Sequence, residues 1–86
     1  MAHEVARLRL VYSPETVTKP ILYHLAIDYH LIPNIRQANM ENGRGGFLLL
    51  ELKGEANDLE KGIKFLHGSG VEVSVIGLDA VGGWDI

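Results

Sequence analysis

The sequence predicts an α+β domain of the ferredoxin-like type, a four-stranded antiparallel sheet in the order 4-1-3-2 with both helices on one face. Three observations predict this fold. Residues 5–12 and 71–75 alternate between apolar and polar side chains, which is typical of half-buried strands. Apolar residues recur at helical spacing within 21–29 and 59–66, and an Asn-Gly turn signal lies within 42–46. The predicted element order is therefore strand, helix, strand, strand, helix, strand.

The first strand is predicted from Val5 to Tyr12, and the Ser-Pro-Glu sequence after it ends the strand because proline cannot donate to a ladder. Thr18 is the predicted N-cap of the first helix, and Pro20 fits the first turn, where a missing N–H costs nothing. We expect this helix to end near His30. The strand residues predicted to face the core are Ala6, Leu8, Leu10 and Tyr12.

The second and third strands are predicted to form a hairpin around the glycine-rich turn. The second strand runs from Leu31 to Glu41, and Pro33 near its start indicates an irregular edge strand. The third strand runs from Phe47 to Lys53 and is the most apolar of the four, which indicates a central position. We expect Gly54 to end it.

The second helix and the fourth strand follow from the next stretch of chain. Asn57 or Asp58 is the predicted N-cap of the helix, and the Gly-Ser-Gly sequence at 68–70 is predicted to end it. The fourth strand is predicted from Val71 to Val75.

Length and composition exclude several classes of protein. A chain of 86 residues is predicted to form one domain, residues 1–77, with a C-terminal tail at 78–86. The net charge of -3 argues against nucleic acid as a partner, because that partner requires a clustered cationic surface. Without cysteine the chain forms no disulfide and no cysteine-ligated metal site. No apolar run approaches the roughly 18 residues of a membrane span, and the N-terminus lacks signal-peptide features, so we expect a cytoplasmic location without membrane insertion.

The titratable residues do not form a catalytic or metal-binding pattern. His24 and His30 are six positions apart on the predicted first helix, which places them on different faces. Asp58 and Glu60 occupy the first turn of the second helix, where the helix dipole stabilises acidic side chains. No acid is paired with a nucleophile, so we expect no enzymatic activity, no metal and no cofactor.

The second strand carries an unusual row of polar side chains. Arg36 offers a planar fork that suits a carboxylate, and Asn34, Gln37 and Asn39 have the hydrogen-bonding groups to orient an amide or an ammonium. An alternative interpretation is that these side chains face solvent and protect the edge of the sheet against aggregation.

The same segment resembles a known family. Residues 34–41, Asn-Ile-Arg-Gln-Ala-Asn-Met-Glu, are similar to the Asn-Ile-Leu-x-(Ala/Gly)-x-Ile signature of NIL domains, the C-terminal regulatory domains of methionine-importing ABC ATPases. Arg9-Leu10, Pro20-Ile21-Leu22 and residues 70–73 also fit, so the resemblance covers the chain from Arg7 to Gly77. Arg36 departs from the family pattern, which has an aliphatic residue there.

The resemblance implies a non-enzymatic regulatory module that acts as a homodimer. In the family a free amino acid, methionine in the transporters, binds around the second strand near the two-fold contact. Carried over by position, Asn34 is the residue expected to touch the ligand. The other residues expected to line this site are Ile35, Arg36, Gln37, Ala38 and Asn39.

A protein-interaction module with no small ligand is the alternative function. Phe47 and Leu49 are predicted to lie on the sheet face away from the helices, where apolar side chains are unusual. Trp84 in the glycine-flanked tail is predicted to act as a contact anchor or as a lid over these residues.

Overall fold

The computed structural model describes residues 3–41 and 44–80, and its sheet has the predicted order. The strands are arranged β2-β3-β1-β4, and each neighbouring pair is antiparallel. The α+β ferredoxin-like fold is therefore confirmed. The elements are β1 (His3–Tyr12), α1 (Ile21–Ile27), β2 (Ile32–Glu41), β3 (Gly45–Glu55), α2 (Ala56–Gly68) and β4 (Glu72–Ala80).

The core lies between the sheet and the two helices. Leu8 and Leu10 of β1 lie opposite Leu50 and Leu48 of β3, and all four are buried. Leucines of both helices complete the cluster, so the two helices cover the same face of the sheet, here called the helix face. Burial of each leucine contributes about 2 kcal/mol. The largest fully buried side chains are Leu8, Leu10, Leu25, Leu50, Leu52 and Leu66.

The segment before α1 is a hydrogen-bonded turn rather than the start of the helix. The backbone N–H groups of Thr16 and Val17 both donate to the Ser13 carbonyl, at 3.1 Å each. The predicted N-cap at Thr18 is therefore wrong: Pro20 occupies that position and makes no side-chain capping bond. The predicted end near His30 is also wrong, because α1 ends at Ile27 and His30 adopts a left-handed φ of 58°.

Leu31 follows this sharp bend and is wedged between two glycines. Its backbone N–H donates to the Leu25 carbonyl at 3.1 Å, and its side chain is 2% exposed. A Cβ atom added at Gly54 would lie 2.5 Å from Leu31 Cδ2, and one added at Gly62 would lie 2.6 Å from Leu31 Cδ1. Both methyl groups of Leu31 therefore pack directly against glycine backbone, one in β3 and one in α2.

We expect Gly62→Ala to destabilise the domain although alanine favours helix. The added methyl group overlaps Leu31, which Gly54 blocks on its other side, and overpacking of this kind costs about 1–3 kcal/mol. The gain in helix propensity offsets at most about 1 kcal/mol of that cost. Gly68→Ala is the matched control, because an added Cβ there meets nothing within 4 Å. Urea unfolding measures both variants, and equal stabilities would contradict this account of Leu31.

The second helix begins where β3 ends, without a loop. Gly54 was predicted to end the strand, but it lies within β3 and pairs with Glu4 of β1. The N-cap of α2 is Glu55 in an extended conformation, so the predicted caps at Asn57 and Asp58 are wrong. The direct passage from strand to helix moves the helix start ahead of both residues. At the other end, Gly70 has a φ of 98°, a left-handed conformation that suits glycine at a helix terminus.

The last strand extends beyond its predicted end at Val75. β4 continues to Ala80, and Ile76 is an extra residue in its pairing with β1, because Val75 and Gly77 lie opposite the consecutive residues Leu8 and Arg7. The predicted tail at 78–86 therefore begins inside β4. Trp84 lies outside the described residues.

Burial raises the pKa of the Tyr12 phenol above its ordinary value. Between the unfolded pKa of about 10 and this higher folded pKa, the unfolded chain loses the proton that the folded chain retains. This contribution to stability is therefore fully present below pH 10 and is lost as the pH rises through the folded pKa. We expect the free energy of unfolding of Tyr12→Phe to fall less steeply with pH above pH 10 than that of the unsubstituted chain. Urea titrations at pH 9 to 11 measure both proteins. Parallel losses in the two proteins would contradict the assignment.

Neither helix within residues 3–41 and 44–80 has the length and apolar character needed to cross a membrane.

Candidate functional site

The second strand lies at the border of the sheet, as predicted. β2 pairs with β3 on one side, and its other side is the outer edge of the sheet. Apart from the half-buried Pro33, all of its side chains are exposed. The main-chain N–H and C=O groups along this edge are therefore open to another strand.

The register of β2 divides the predicted ligand residues between two faces. Paired residues in adjacent strands point to the same side of a sheet. Ile35 and Ala38 lie opposite the buried Leu50 and Leu48, and so belong to the helix face. The polar residues belong to the opposite face, here called the open face. Their partners there are Glu51 for Asn34, Leu49 for Gln37 and Phe47 for Asn39.

Arg36 is the extra residue of a β-bulge. Ile35 lies opposite Leu50 and Gln37 opposite Leu49, so no residue of β3 is left to pair with Arg36. Its Nε atom lies 3.8 Å from Oε2 of Glu51, which places the guanidinium over the open face. The irregularity that Pro33 suggested at the start of the strand is found at Arg36 instead. The bulge gathers Arg36 with Asn34, Gln37 and Asn39 on one face.

The centre of the open face is apolar, and the guanidinium of Arg9 stacks on it. Phe47 and Leu49 of β3 are half-buried there, on the face predicted for them. The guanidinium carbon of Arg9 lies 5.4 Å from the centroid of the Phe47 ring, a cation–π distance. Phe47 and Leu49, which are predicted to contact a protein, therefore share one surface with the polar residues predicted to bind a ligand. The polar row of β2 borders the apolar centre.

The side of the domain that carries β2 also exposes large apolar residues. α1 packs beside β2, and six of its seven residues are apolar although only Ile21 and Leu25 are buried. Apolar side chains of this size are not usually left in solvent as a group. The exposed large apolar residues of α1 and β2 have exposed fractions from 38% to 61%: Tyr23, Ile27, Ile32, Ile35 and Met40.

A concave region lies between α1 and the end of α2. It has a volume of about 280 Å³, and its polar groups already have partners within the chain. Lys19 Nζ donates to the Ser69 carbonyl at 3.1 Å, and His24 Nδ1 lies 2.9 Å from Asp28 Oδ2. The His24 ring also makes an edge contact with Phe65, with centroids 5.9 Å apart. These contacts give the groove a structural role, so β2 and the open face form the stronger candidate site.

The histidines are not brought together. His24 lies in α1, whereas His30 follows the helix and is exposed. Within residues 3–41 and 44–80, no three histidine or acidic side chains lie in an arrangement that could hold a metal ion.

The β-bulge and the division of β2 between two faces had no signal in the sequence. Glu51 was also missed as a site residue, although its side chain is 14% exposed and it contacts Arg36. The alternation of β3 could have assigned Glu51 to the open face, because Glu51 lies between Leu50 and Leu52. Its contact with Arg36 could not be predicted, because it depends on the register between the strands.

Comparisons with known proteins point to one family. Methionine import ATP-binding protein MetN 3 of Pectobacterium atrosepticum is 32% identical over 73 residues, 81% of this chain and 21% of its own length. Methionine import ATP-binding protein MetN of Coxiella burnetii is 30% identical over 82 residues, 92% of this chain and 23% of its own. The chain thus spans about a fifth of the length of these curated relatives.

A solved structure and a family profile agree with these relatives. The C-terminal domain of an ABC transporter ATP-binding protein from Enterococcus faecalis has a TM-score of 0.73 and 29% sequence identity. The likeness covers 84% of this chain and 83% of that one. The profile of the NIL domain family matches residues 6–75. This match spans most of the chain, which therefore belongs to the NIL domain family.

Proposed function

We propose that this domain is a non-enzymatic regulatory module that binds a free amino acid and acts as a homodimer through β2. The observation that carries the proposal is the open edge of β2, which has exposed apolar side chains on its helix face and a polar row on its open face. The unpaired N–H and C=O groups of such an edge can pair with another strand. We also propose a cytoplasmic location, because the relatives are ATP-binding proteins and ATP is available in the cytoplasm.

The proposed dimer pairs β2 of one copy with β2 of a second copy, antiparallel and related by a two-fold axis. Such a contact is self-complementary and joins the two sheets into one. Ile35 and Met40 of β2, exposed by 49% and 38%, lose solvent contact in this arrangement. Burial of apolar area is the main driving force for an association of this type. Tyr23 and Ile27 are exposed on α1, the helix that contacts β2, and we propose that they extend the contact.

The proposed ligand lies against the polar row of β2, with Asn34 as its principal contact. The relatives are methionine import ATP-binding proteins, so methionine is the first amino acid to test on this chain. A ligand that contacts residues of both copies binds the dimer more tightly than the monomer. By linkage it then shifts the population toward the dimer, which is how binding is passed on to a partner protein.

Calorimetric titration of the 86-residue chain with methionine and the other amino acids tests ligand binding. We expect one of them to bind, and we expect Asn34→Ala to weaken it at least tenfold, because the variant loses hydrogen bonds to a charged ligand. Asn57→Ala is the matched control, since Asn57 is an exposed asparagine of α2 on the other side of the sheet. No heat from any amino acid would remove the ligand-binding half of the proposal.

A protein-interaction module without a small ligand is the second candidate function. The stacked pair of Arg9 and Phe47 and the neighbouring Leu49 favour it, because aromatic and arginine side chains dominate contact hot spots. The calorimetric titration separates the two candidates. The interaction function replaces the first candidate if no amino acid binds, and if a purified ATP-binding protein of the relatives' class is captured by the unsubstituted chain but not by Phe47→Ala.

A further inference from the structure

The open face gathers positive charge around one carboxylate. Arg7 and Lys53 flank Glu51 by register and by sequence on this face, and Arg9 and Arg36 lie beside them. These four residues are half of the eight lysines and arginines of a chain whose net charge is -3. Among the side chains that the structure describes, the other acidic residues that the register assigns to this face are Glu41, Glu55 and Glu72, and they lie at its margins. Arg9 and Arg36 therefore bring two guanidinium groups to the apolar centre of this face, where they favour an anionic ligand although the chain as a whole is acidic.

We propose that the ligand at this face is an acidic amino acid, one that carries a second carboxylate. The inference rests on the proposed function and names the ligand class for the same site. Arg36 is assigned as the anchor of the side-chain carboxylate, and Arg9 as the anchor of the α-carboxylate. The half-buried Leu49 and Phe47 between them form an apolar floor for the carbon chain of the ligand.

The guanidinium of Arg36 retains its capacity to bind a carboxylate. Its contact with Glu51 is 3.8 Å, which is longer than a hydrogen bond, and its side chain is 61% exposed. Arginine has five N–H donors in a planar fork, and a carboxylate accepts two of them in parallel. The long contact with Glu51 uses electrostatic attraction alone, so Glu51 orients the fork and leaves its donors for a ligand.

Arg9 is held in place by its ring partner. Its guanidinium lies over Phe47, which restricts the side chain to the surface of the sheet. Gln37 and Asn39 border the opposite side of the apolar floor, since they pair with Leu49 and Phe47. Their amide groups offer both donors and acceptors, which suits the ammonium and the carboxylate oxygens of an amino acid.

The test compares two ligands that differ in one functional group. Calorimetric titrations with L-glutamate and L-glutamine, at low and at high salt, isolate the second carboxylate. We expect glutamate to bind at least tenfold more tightly than glutamine at low salt, and we expect salt to reduce this preference. Methionine, which has no second carboxylate, is expected to bind like glutamine.

The variant Arg36→Gln is expected to remove the preference. Its affinity for glutamate should fall about tenfold, while its affinity for glutamine should change by less than twofold. Lys61→Gln, at an exposed position of α2, is the control for the loss of one positive charge and should leave the preference intact. Equal affinity for glutamate and glutamine, with methionine or another neutral amino acid bound, overturns this inference and leaves the proposed function standing. Failure of every amino acid to bind overturns both.

Discussion

The double variant Ile35→Glu, Met40→Glu is expected to be monomeric at concentrations at which the unsubstituted domain is a dimer. Both side chains lie on the helix face of β2 and are exposed by 49% and 38%, so the folded monomer loses little by their replacement. In the proposed dimer the four new carboxylates meet across the two-fold axis, where desolvation and like-charge repulsion oppose association. We expect the dissociation constant to rise at least a hundredfold, as measured by sedimentation equilibrium.

The opposite edge of the sheet supplies the control for this prediction. Val75→Glu, Leu78→Glu makes the same chemical change in β4, at side chains exposed by 54% and 57%. This control should leave the dimer intact, and both double variants should keep the circular dichroism of the unsubstituted chain. If the β4 variant were monomeric and the β2 variant remained dimeric, the interface would lie at β4, and the proposed dimer would be refuted.

Leu31→Ala is expected to be the most damaging single change to stability. The side chain is 2% exposed and fills the space between the backbones of Gly54 and Gly62, which have no side chains to close a cavity. Truncation of a buried leucine costs about 2–5 kcal/mol, and the two glycines put Leu31 at the upper end of this range. Ile27→Ala, at a residue exposed by 55%, should cost less than about 1 kcal/mol. Urea unfolding compares the two variants.

A double-mutant cycle makes the Leu31 prediction specific. Gly62→Ala is destabilising in the unsubstituted chain because its new methyl group overlaps Leu31 Cδ1. In the Leu31→Ala background the same methyl group enters vacated space, so we expect Gly62→Ala to become stabilising. The effects of two residues in contact do not add. Simple additivity of the two changes would show that Leu31 and Gly62 do not share this space.

The elements with strong local patterns were predictable from the sequence. The alternation of Leu8 and Leu10 with arginines fixes the buried face of β1, and a run of three leucines marks β3 as central. The edge position of β2 followed from Pro33 and from the order of the elements. These features depend on residues that are adjacent or nearly adjacent in the chain, and they were confirmed.

The features that failed depend on contacts that residue type alone does not specify, one of them local and the other long-range. Thr18 has the chemistry of an N-cap, but the hydrogen bonds from Thr16 and Val17 to Ser13 form a turn that delays the helix to Ile21. Gly54 has the chemistry of a strand end, but Leu31, in the connection between α1 and β2, requires a glycine inside the strand. Neither competing contact follows from the residue type at Thr18 or at Gly54.

The candidate site was predictable in its location but not in its geometry. Asn34, Gln37 and Asn39 were placed on an edge strand, which the structure confirms, while their roles stay predictions. The sequence could not separate these residues from Ile35 and Ala38, because the bulge at Arg36 breaks the alternation that would assign faces. Glu51 gains its relevance only through contact with Arg36 across the sheet.

Amide hydrogen exchange, measured at protein concentrations below and above the dimer dissociation constant, tests most directly whether the edge of β2 binds a second copy. Edge amides that face solvent exchange quickly, and pairing with another strand slows them. We predict slower exchange for Ile32–Glu41 at high concentration, a further slowing with the bound amino acid, and unchanged exchange for Glu72–Ala80. Exchange in Ile32–Glu41 that does not depend on concentration, or slowing confined to Glu72–Ala80, would contradict the account.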